Sequence, residues 1–216
     1  MFKLLSEIIT EILFPSFCPI CQEKVGSRGA WCPECLSIST QNLQITNTEL
    51  KYLDGCLILC HYQDGVNKII KGIKYYNQLK YSENVFWLLQ NLHVIDNCRE
   101  IDMVVPVPLH SKRLQERGYN QTEKMYKKWA MQHNLAWDEG LKRIRETQPQ
   151  YQLKIKERKE NLKNAFAVKE DFIINGKNIL LVDDIYTTGT TLEECAKVLK
   201  KAGAEKIFAL ALAINI

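Results

Sequence analysis

Long apolar runs are missing from this chain of 216 residues. Crossing a bilayer takes about 18–20 consecutive apolar residues, and charged residues interrupt every window of that length, which excludes a membrane-spanning segment. A secretion signal is missing too, because residues 1–17 lack the combination of basic start, long apolar middle and small-residue cleavage site. Instead, Leu4, Leu5, Ile8, Ile9, Ile12 and Leu13 recur at helical spacing and predict a short amphipathic helix. The expectation is a cytoplasmic protein with no membrane insertion. No internal repeat or low-complexity segment is present. Histidine is scarce, at four residues. His61, His93 and His133 have no catalytic or ligand spacing, and His110 has no carboxylate beside it in sequence to make it a general base.

What is there is an ordinary globular balance, 46% hydrophobic and 25% charged. The length suits one full domain with a smaller companion. The net charge of +4 is modest but unevenly spread. Residues 1–50 carry three cations, Lys3, Lys24 and Arg28, against five glutamates. Residues 110–169 carry 15 Lys and Arg against 7 Asp and Glu. Such a basic middle suggests a polyanionic partner, either the phosphates of a small ligand or a nucleic-acid backbone.

Eight cysteines in a chain of this kind argue against a disulfide framework. Four of them form two Cys-x2-Cys pairs, Cys18/Cys21 and Cys32/Cys35, with ten residues between the pairs. Each pair can sit on a tight turn with both sulfurs aimed at one metal. Four thiolates so spaced match a closed, tetrahedral structural Zn2+ site. With Zn2+ bound, four thiolates add about two further negative charges, so residues 1–50 form an acidic module that repels phosphate backbones. A structural or protein-docking role is expected for it. Cys56, Cys60, Cys98 and Cys195 show no such pattern and are expected to pack in the core.

Coarse periodicity predicts the rest. Thr40–Asn47 is polar and is expected to link the module to the remainder. A strand follows at Cys56–Tyr62, then helices over Val66–Lys80 and Ser82–Ile95, and a strand at Ile101–Val107 that opens into a loop. Residues Asn120–Asn134 read as helix, Leu135–Ile144 as mostly extended, Glu157–Asn164 as a short helix and Ala165–Val168 as extended. The clearest unit is the last: strand Asn178–Val182, helix Thr191–Ala202 closed by Gly203, strand Lys206–Ile214. This βαβ alternation predicts an α/β fold with a mostly parallel sheet and helices on both faces. The expected division is 1–50 for the zinc-ribbon-like module and 51–216 for the larger domain.

The stretch from Ile179 to Thr191, Ile-Leu-Leu-Val-Asp-Asp-Ile-Tyr-Thr-Thr-Gly-Thr-Thr, carries the chemistry. A buried strand ends in Asp183 and Asp184, and Thr187, Thr188, Gly189, Thr190 and Thr191 lead into a helix. Free N–H groups, the helix dipole and clustered hydroxyls make a phosphate cup there. Carboxylates beside such a cup are explained by a phosphorylated sugar, whose phosphate fills the cup while its vicinal hydroxyls donate to the aspartates. An acidic Mg2+ pocket would explain the aspartates but not the threonines.

This stretch resembles the phosphoribosyl-pyrophosphate (PRPP) motif of type I phosphoribosyltransferases. Three further features narrow the resemblance: the four-cysteine module, the segment Val105-Pro-Val-Pro-Leu-His-Ser-Lys-Arg-Leu-Gln-Glu-Arg-Gly-Tyr-Asn-Gln121, and Arg145-Glu-Thr-Gln followed by Leu153, Glu157-Arg158, Asn161-Leu and Ala165-Phe166. Together they are similar to the ComF family, over nearly the whole chain. The resemblance implies a phosphoribosyltransferase fold and a role in late competence, the uptake of transforming DNA. It implies catalytic and PRPP-binding roles for Asp183 and Asp184, and phosphate contacts from 187–191. It further implies a pyrophosphate loop at Lys112, Arg113, Arg117 and Gly118, with Mg2+ accompanying PRPP. A mobile loop over residues 143–158 offers Arg143, Arg145, Gln148, Lys154 and Arg158 to phosphate or nucleic acid.

Two functions stay open at this point. One is an enzyme that transfers ribose 5-phosphate from PRPP to an acceptor, with pyrophosphate leaving. No segment that reads an acceptor is recognisable, and the zinc module is a candidate for the place of the hood that does so in related enzymes. The other is a competence factor that binds PRPP or a similar phosphosugar, touches single-stranded DNA through residues 110–169, and meets a helicase-like uptake protein. Tyr119, Trp129, Trp137 and Tyr151 lie among those charges as stacking candidates, though the tryptophans suit the core equally. A regulator of purine genes is a weaker alternative, because no DNA-reading domain is present.

Overall fold

The computed structural model describes residues 15–45, 50–146 and 160–215. The amphipathic pattern over Leu4–Leu13 lies outside them. In chain order, β1 (Ser16–Phe17) and β2 (Lys24–Val25) form a small antiparallel pair, followed by α1 (Pro33–Ser39) and β3 (Thr40–Ile45). Next come β4 (Gly55–His61), α2 (Asp64–Tyr75), α3 (Tyr81–Asn91), a 3-10 turn at Val94–Asn97 and β5 (Met103–Pro106). Then follow α4 (Ser111–Arg117), α5 (Gln121–Gln132), β6 (Ala136–Trp137), β7 (Leu141–Arg143) and β8 (Phe166–Val168). The chain closes with β9 (Ile179–Tyr186), α6 (Thr190–Lys201) and β10 (Ile207–Ile214).

The α/β expectation is met. Six strands lie in the order β3-β4-β10-β9-β5-β6, and β4, β10, β9, β5 and β6 run parallel. Both faces of the sheet are covered, as the continuous apolar runs of β9 and β10 require. One core places Val104, Leu180, Val182, Leu210 and Leu212 against α2, α3 and α5, with Trp129 and Tyr126 fully buried among them. The other places Ile58, Val105, Ile179, Leu181, Ile207 and Ala209 against α6, with Leu192, Cys195, Ala196 and Leu199. Cys56, Cys60, Cys98 and Cys195 are all buried, as packing residues should be.

The connections reverse direction between β5 and β9. From β5 the chain moves outward to β6; from β9 it moves the other way, to β10 and its neighbour β4. In open α/β sheets the crevice at such a reversal, at the carboxyl ends of the strands, is where ligands bind. The ends of β5 and β9 carry the basic α4 segment and the Asp183/Asp184 pair.

Three local expectations need correction. Thr40–Asn47 is not a bare linker: Thr40–Ile45 pairs antiparallel with β4. Its polar composition suits a strand that caps the sheet edge, where otherwise open backbone groups of β4 would face water. The segment after β5 is not a plain loop but contains α4, built by its caps rather than by an apolar stripe. The His110 ring accepts from the Lys112 N–H at 3.4 Å, and Gly118 closes the helix at φ +80°. The strand expected over Asn178–Val182 does not stop at Val182 but continues through both aspartates to Tyr186.

The cysteine-bearing residues pack on α2 and α3. Trp31 Nε1 donates to the Asn84 carbonyl at 3.2 Å, and Asn84 Nδ2 donates back to the Gly29 carbonyl at 3.0 Å. Gly29 sits at φ +84°, and a Cβ there would lie 2.5 Å from the Glu83 carbonyl oxygen. Both facts demand glycine. Gly29→Ala is expected to destabilise the fold by about 1–3 kcal/mol, the range for a strained backbone position. Urea unfolding would show the lowered midpoint, and limited proteolysis would show earlier cleavage within residues 15–40.

Candidate functional site

Adjacent residues on a strand project to opposite faces, so Asp183 and Asp184 meet different surroundings. Asp183 shares the α6 face with Cys56 of β4 and Cys195 of α6. Burial pushes both thiols up, the Asp183 charge adding to it, and Cys56 reaches about 12. On β10 the residue paired with Asp183 is Ala211, which is small. Burial, and secondarily the Asp184 charge, push the Asp183 carboxyl from the ordinary 3.8 up to about 7. Lys74, the Asp184 N–H and Arg143 act against this rise without cancelling it. The Asp184 N–H donates to Asp183 Oδ1 at 2.8 Å, and the Tyr126 hydroxyl donates to the Asp183 carbonyl at 3.0 Å.

Asp184 lies on the α2/α5 face, in a polar network. Lys74 Nζ, from the last turn of α2, stands 2.8 Å from Asp184 Oδ2. Gln121 Nε2, from the first turn of α5, donates to the same oxygen at 2.7 Å. Arg117 in turn donates to Gln121 Oε1. The Arg117 guanidinium also lies over the Tyr75 ring, 5.5 Å from its centroid. Tyr119 donates its hydroxyl to the Ile73 carbonyl, which ties the end of α2 to the turn between α4 and α5.

Residues 187–191 follow directly. Gly189, at φ +71°, is the N-cap of α6 and makes no side-chain cap hydrogen bond. A Cβ on it would lie 2.6 Å from the Tyr186 hydroxyl. Thr188 and Thr190 join their hydroxyls at 2.8 Å, and Thr187, Thr188, Thr190 and Thr191 are half-buried around the turn. Glu193 in the first turn accepts the Tyr52 and Leu53 N–H groups at 3.2 and 3.3 Å, which fixes α6 to the chain entering β4.

The structure gathers only part of the expected basic set. Arg117 joins the Asp184 network. Arg143 is half-buried, 5.5 Å from the Phe166 ring centroid, and burial, then the nearby Arg113 charge, pull its pKa down. Lys112 instead pairs with Glu146 at 3.2 Å on the exposed surface. Gly118 serves as the C-cap of α4. Arg145 donates to the carbonyls of Asn161 and Lys163 at 2.9 and 2.8 Å, bracing the segment after β7. Gln148, Lys154 and Arg158 lie outside the described residues, as does Tyr151. Of the aromatic candidates, Trp129 is core, Tyr119 is half-buried with its hydroxyl engaged, and Trp137 is half-buried on the outer strand.

Sequence reasoning missed Lys74 and Gln121. Both carried a weak signal. Lys74 follows Ile70 by four residues and so lies on the edge of the apolar stripe of α2, an odd place for a cation. Gln121 is a polar side chain at the start of a helix whose face is otherwise buried.

Cys18, Cys21, Cys32 and Cys35 form the second cluster. Their sulfurs all lie within 4.8 Å of one another, Cys21 and Cys32 at 3.6 Å. A tetrahedral metal with bonds of about 2.3 Å places its sulfurs about 3.8 Å apart, so the set fits such an ion. Burial pushes the Cys18 thiol up, but N–H groups of Cys32, Cys21 and Ile20 outweigh this and hold it at about 7. Burial, aided by the neighbouring sulfurs, pushes Cys35 well up. Four sulfurs this close could hold a metal ion among them. The acid pair, by contrast, does not suit a Mg2+ held by the chain. Its carboxylates face opposite ways, and Asp184 Oδ2 already has an ammonium and an amide on it.

The raised Asp183 carboxyl gives a signed stability expectation. Its protonated form favours the folded state, so that contribution falls as pH climbs from about 4 to about 7 and stays lost above. Asp183→Asn is therefore expected to raise the melting temperature at pH 8, by about 2–4 °C for each kcal/mol relieved. Near pH 4 the variant should melt with the parent, and calorimetric scans at the two pH values check this.

Comparison with known proteins follows the same lines. Residues 142–215 match the family model of the phosphoribosyl transferase domain. Over 204 residues the chain is 33% identical to competence protein F of Haemophilus influenzae, covering 88% of this chain and 86% of that one. It is 27% identical over 205 residues to the DNA utilization protein YhgH of Escherichia coli, covering 88% and 86%. It is 28% identical over 206 residues to competence protein ComFC of Streptococcus pneumoniae, covering 89% and 83%. With a sheet reversed at an acid pair, a four-sulfur cluster ahead of it, and relatives aligned along most of their length, the chain belongs to the competence protein F (ComF) family.

Proposed function

We propose that this ComF-family chain binds PRPP or a closely similar phosphosugar at the β5–β9 crevice and acts there in DNA uptake. The observation that carries the reading is the convergence of three parts at one crevice: the Asp183/Asp184 pair, the α6 N-terminus with its threonines, and Arg117. In this reading the 5-phosphate sits in the cup of residues 187–191, held by N–H groups, hydroxyls and the helix dipole. The ribose hydroxyls donate to Asp183 and Asp184, and the pyrophosphate end meets Arg113 and Arg117, whose planar forks suit phosphate oxygens. Roles in DNA uptake and DNA utilization are named for the relatives and are carried to this chain here.

The cysteine cluster holds a structural Zn2+, which supplies four bonds to a module with few buried residues of its own. The protein works on single-stranded DNA through the basic residues of 110–169, and with a helicase-like partner that docks on the acidic module. A transferase reaction is the second reading, favoured by Asp184. A carboxylate held against the ribose ring stabilises the positive charge that develops as pyrophosphate leaves.

Calorimetric titration of PRPP with Mg2+, with and without single-stranded DNA, tests the main reading. Binding is expected, and Asp183→Ala combined with Asp184→Ala should abolish it while one Zn2+ per chain is retained. Unchanged affinity in that variant would refute the site. Because ribose hydroxyls need the ionised Asp183, affinity should strengthen as pH rises through about 7. Replacing Lys154 or Arg158 by Gln should weaken single-stranded DNA binding and reduce its salt slope by about 0.7 for each phosphate no longer neutralised.

A further inference from the structure

The acid pair has a cation of its own. Lys74 and Asp184 are both largely withdrawn from water, their side chains 16% and 6% exposed. Burying an ammonium is unfavourable unless it is paired and hydrogen-bonded, and here the partner is a residue of the candidate site. Arg117 reaches Asp184 only through Gln121, and Arg143 acts on the Asp183 side. Among the described residues Lys74 is thus the cation in direct contact with the pair. Its placement is enforced: Ile69, Ile70 and Ile73 bury the stripe of α2, and the Tyr119 hydroxyl holds the carbonyl of Ile73, the residue before it.

A divalent cation would have to compete with this arrangement. Mg2+ demands near-octahedral oxygen ligands and gives up water reluctantly, whereas an ammonium already lies 2.8 Å from the available carboxylate oxygen. We propose that Lys74 is the resident counter-ion of the acid pair, a positioning residue that holds the Asp184 carboxylate aimed at ligand hydroxyls, so that a phosphosugar binds without a divalent cation held by the chain. This rests on the phosphosugar reading above.

The test is calorimetry of PRPP in excess Mg2+ and in EDTA, on the parent, Lys74→Gln and Lys74→Arg, with a melting curve for each. Gln keeps a donor for Asp184 but removes the charge, and Arg keeps both. The parent and Lys74→Arg are expected to bind equally in the two buffers. Lys74→Gln should lose about ten- to a hundredfold in EDTA, as for one charge-assisted hydrogen bond, and recover in Mg2+. The inference is overturned if the parent binds only in Mg2+, or if Lys74→Gln binds in EDTA as the parent does. The parent comparison decides even where a variant fails to melt cooperatively. Failure of the parent to bind in either buffer would instead bring down the phosphosugar reading itself.

Discussion

Two neighbouring carboxylates at the end of a strand buried on both faces cannot both be charged without compensation, and much of the architecture around β9 answers that constraint. Strand geometry sends Asp183 to one face and Asp184 to the other, so each is compensated separately. On the Asp184 side, α2 delivers Lys74 and α5 delivers Gln121, which Arg117 holds from behind. On the Asp183 side no comparable partner sits within hydrogen-bond reach, among the described residues, except the next backbone N–H. That carboxyl keeps its proton to about pH 7. The pair is therefore asymmetric, with one group in direct contact with an ammonium and the other pushed up toward neutrality by burial. Asymmetry of this kind is what lets adjacent acids take different parts toward one ligand.

The fold was readable because the signals that set it are local. Ile179–Val182 and Ile207–Ile214 are continuous apolar runs with a capped amphipathic helix between them, and such a unit has few alternatives to βαβ. The errors came where structure depends on partners distant in sequence. Thr40–Ile45 is polar enough to read as a linker, and it becomes a strand because β4 offers an edge. The helix α4 lacks an apolar stripe and depends on its caps, His110 and Gly118. The extension of β9 through two aspartates contradicts strand propensity, and is allowed because β10 supplies ladder partners up to Tyr186.

The candidate site was legible in the same uneven way. Asp183, Asp184 and residues 187–191 stand contiguous, so their grouping could be seen at once. Arg117 and Gln121 flank one turn but lie more than 60 residues from Asp184, and Lys74 lies 110 residues away. Nothing local tells that the end of α2 crosses to β9. The only clue was a lysine following Ile70 by one helical turn. Basic composition misled in part as well, since Arg145 and Lys112 lie in the cationic stretch yet are engaged with Asn161, Lys163 and Glu146. A positive segment is a pool of candidates, and geometry decides which members are free for a ligand.

The four-sulfur cluster and the acid pair are joined mechanically by the two helices between them. The segment bearing the cysteines rests on the start of α3 through Trp31 and Gly29. It also rests on the start of α2, where Ile20 fills the space a Cβ on Gly65 would take. The opposite end of α2 carries Lys74 to Asp184. A rigid helix anchored at one end by the module and at the other by Tyr119 and Asp184 has little freedom to rotate. A metal held by the four cysteines would also restrain Ile20, which lies between Cys18 and Cys21, and through α2 the end that carries Lys74, without any contact between the two clusters. Ile20 on Gly65 and Lys74 on Asp184 thus place contacts of the cysteine segment and of the acid pair at the two ends of one helix.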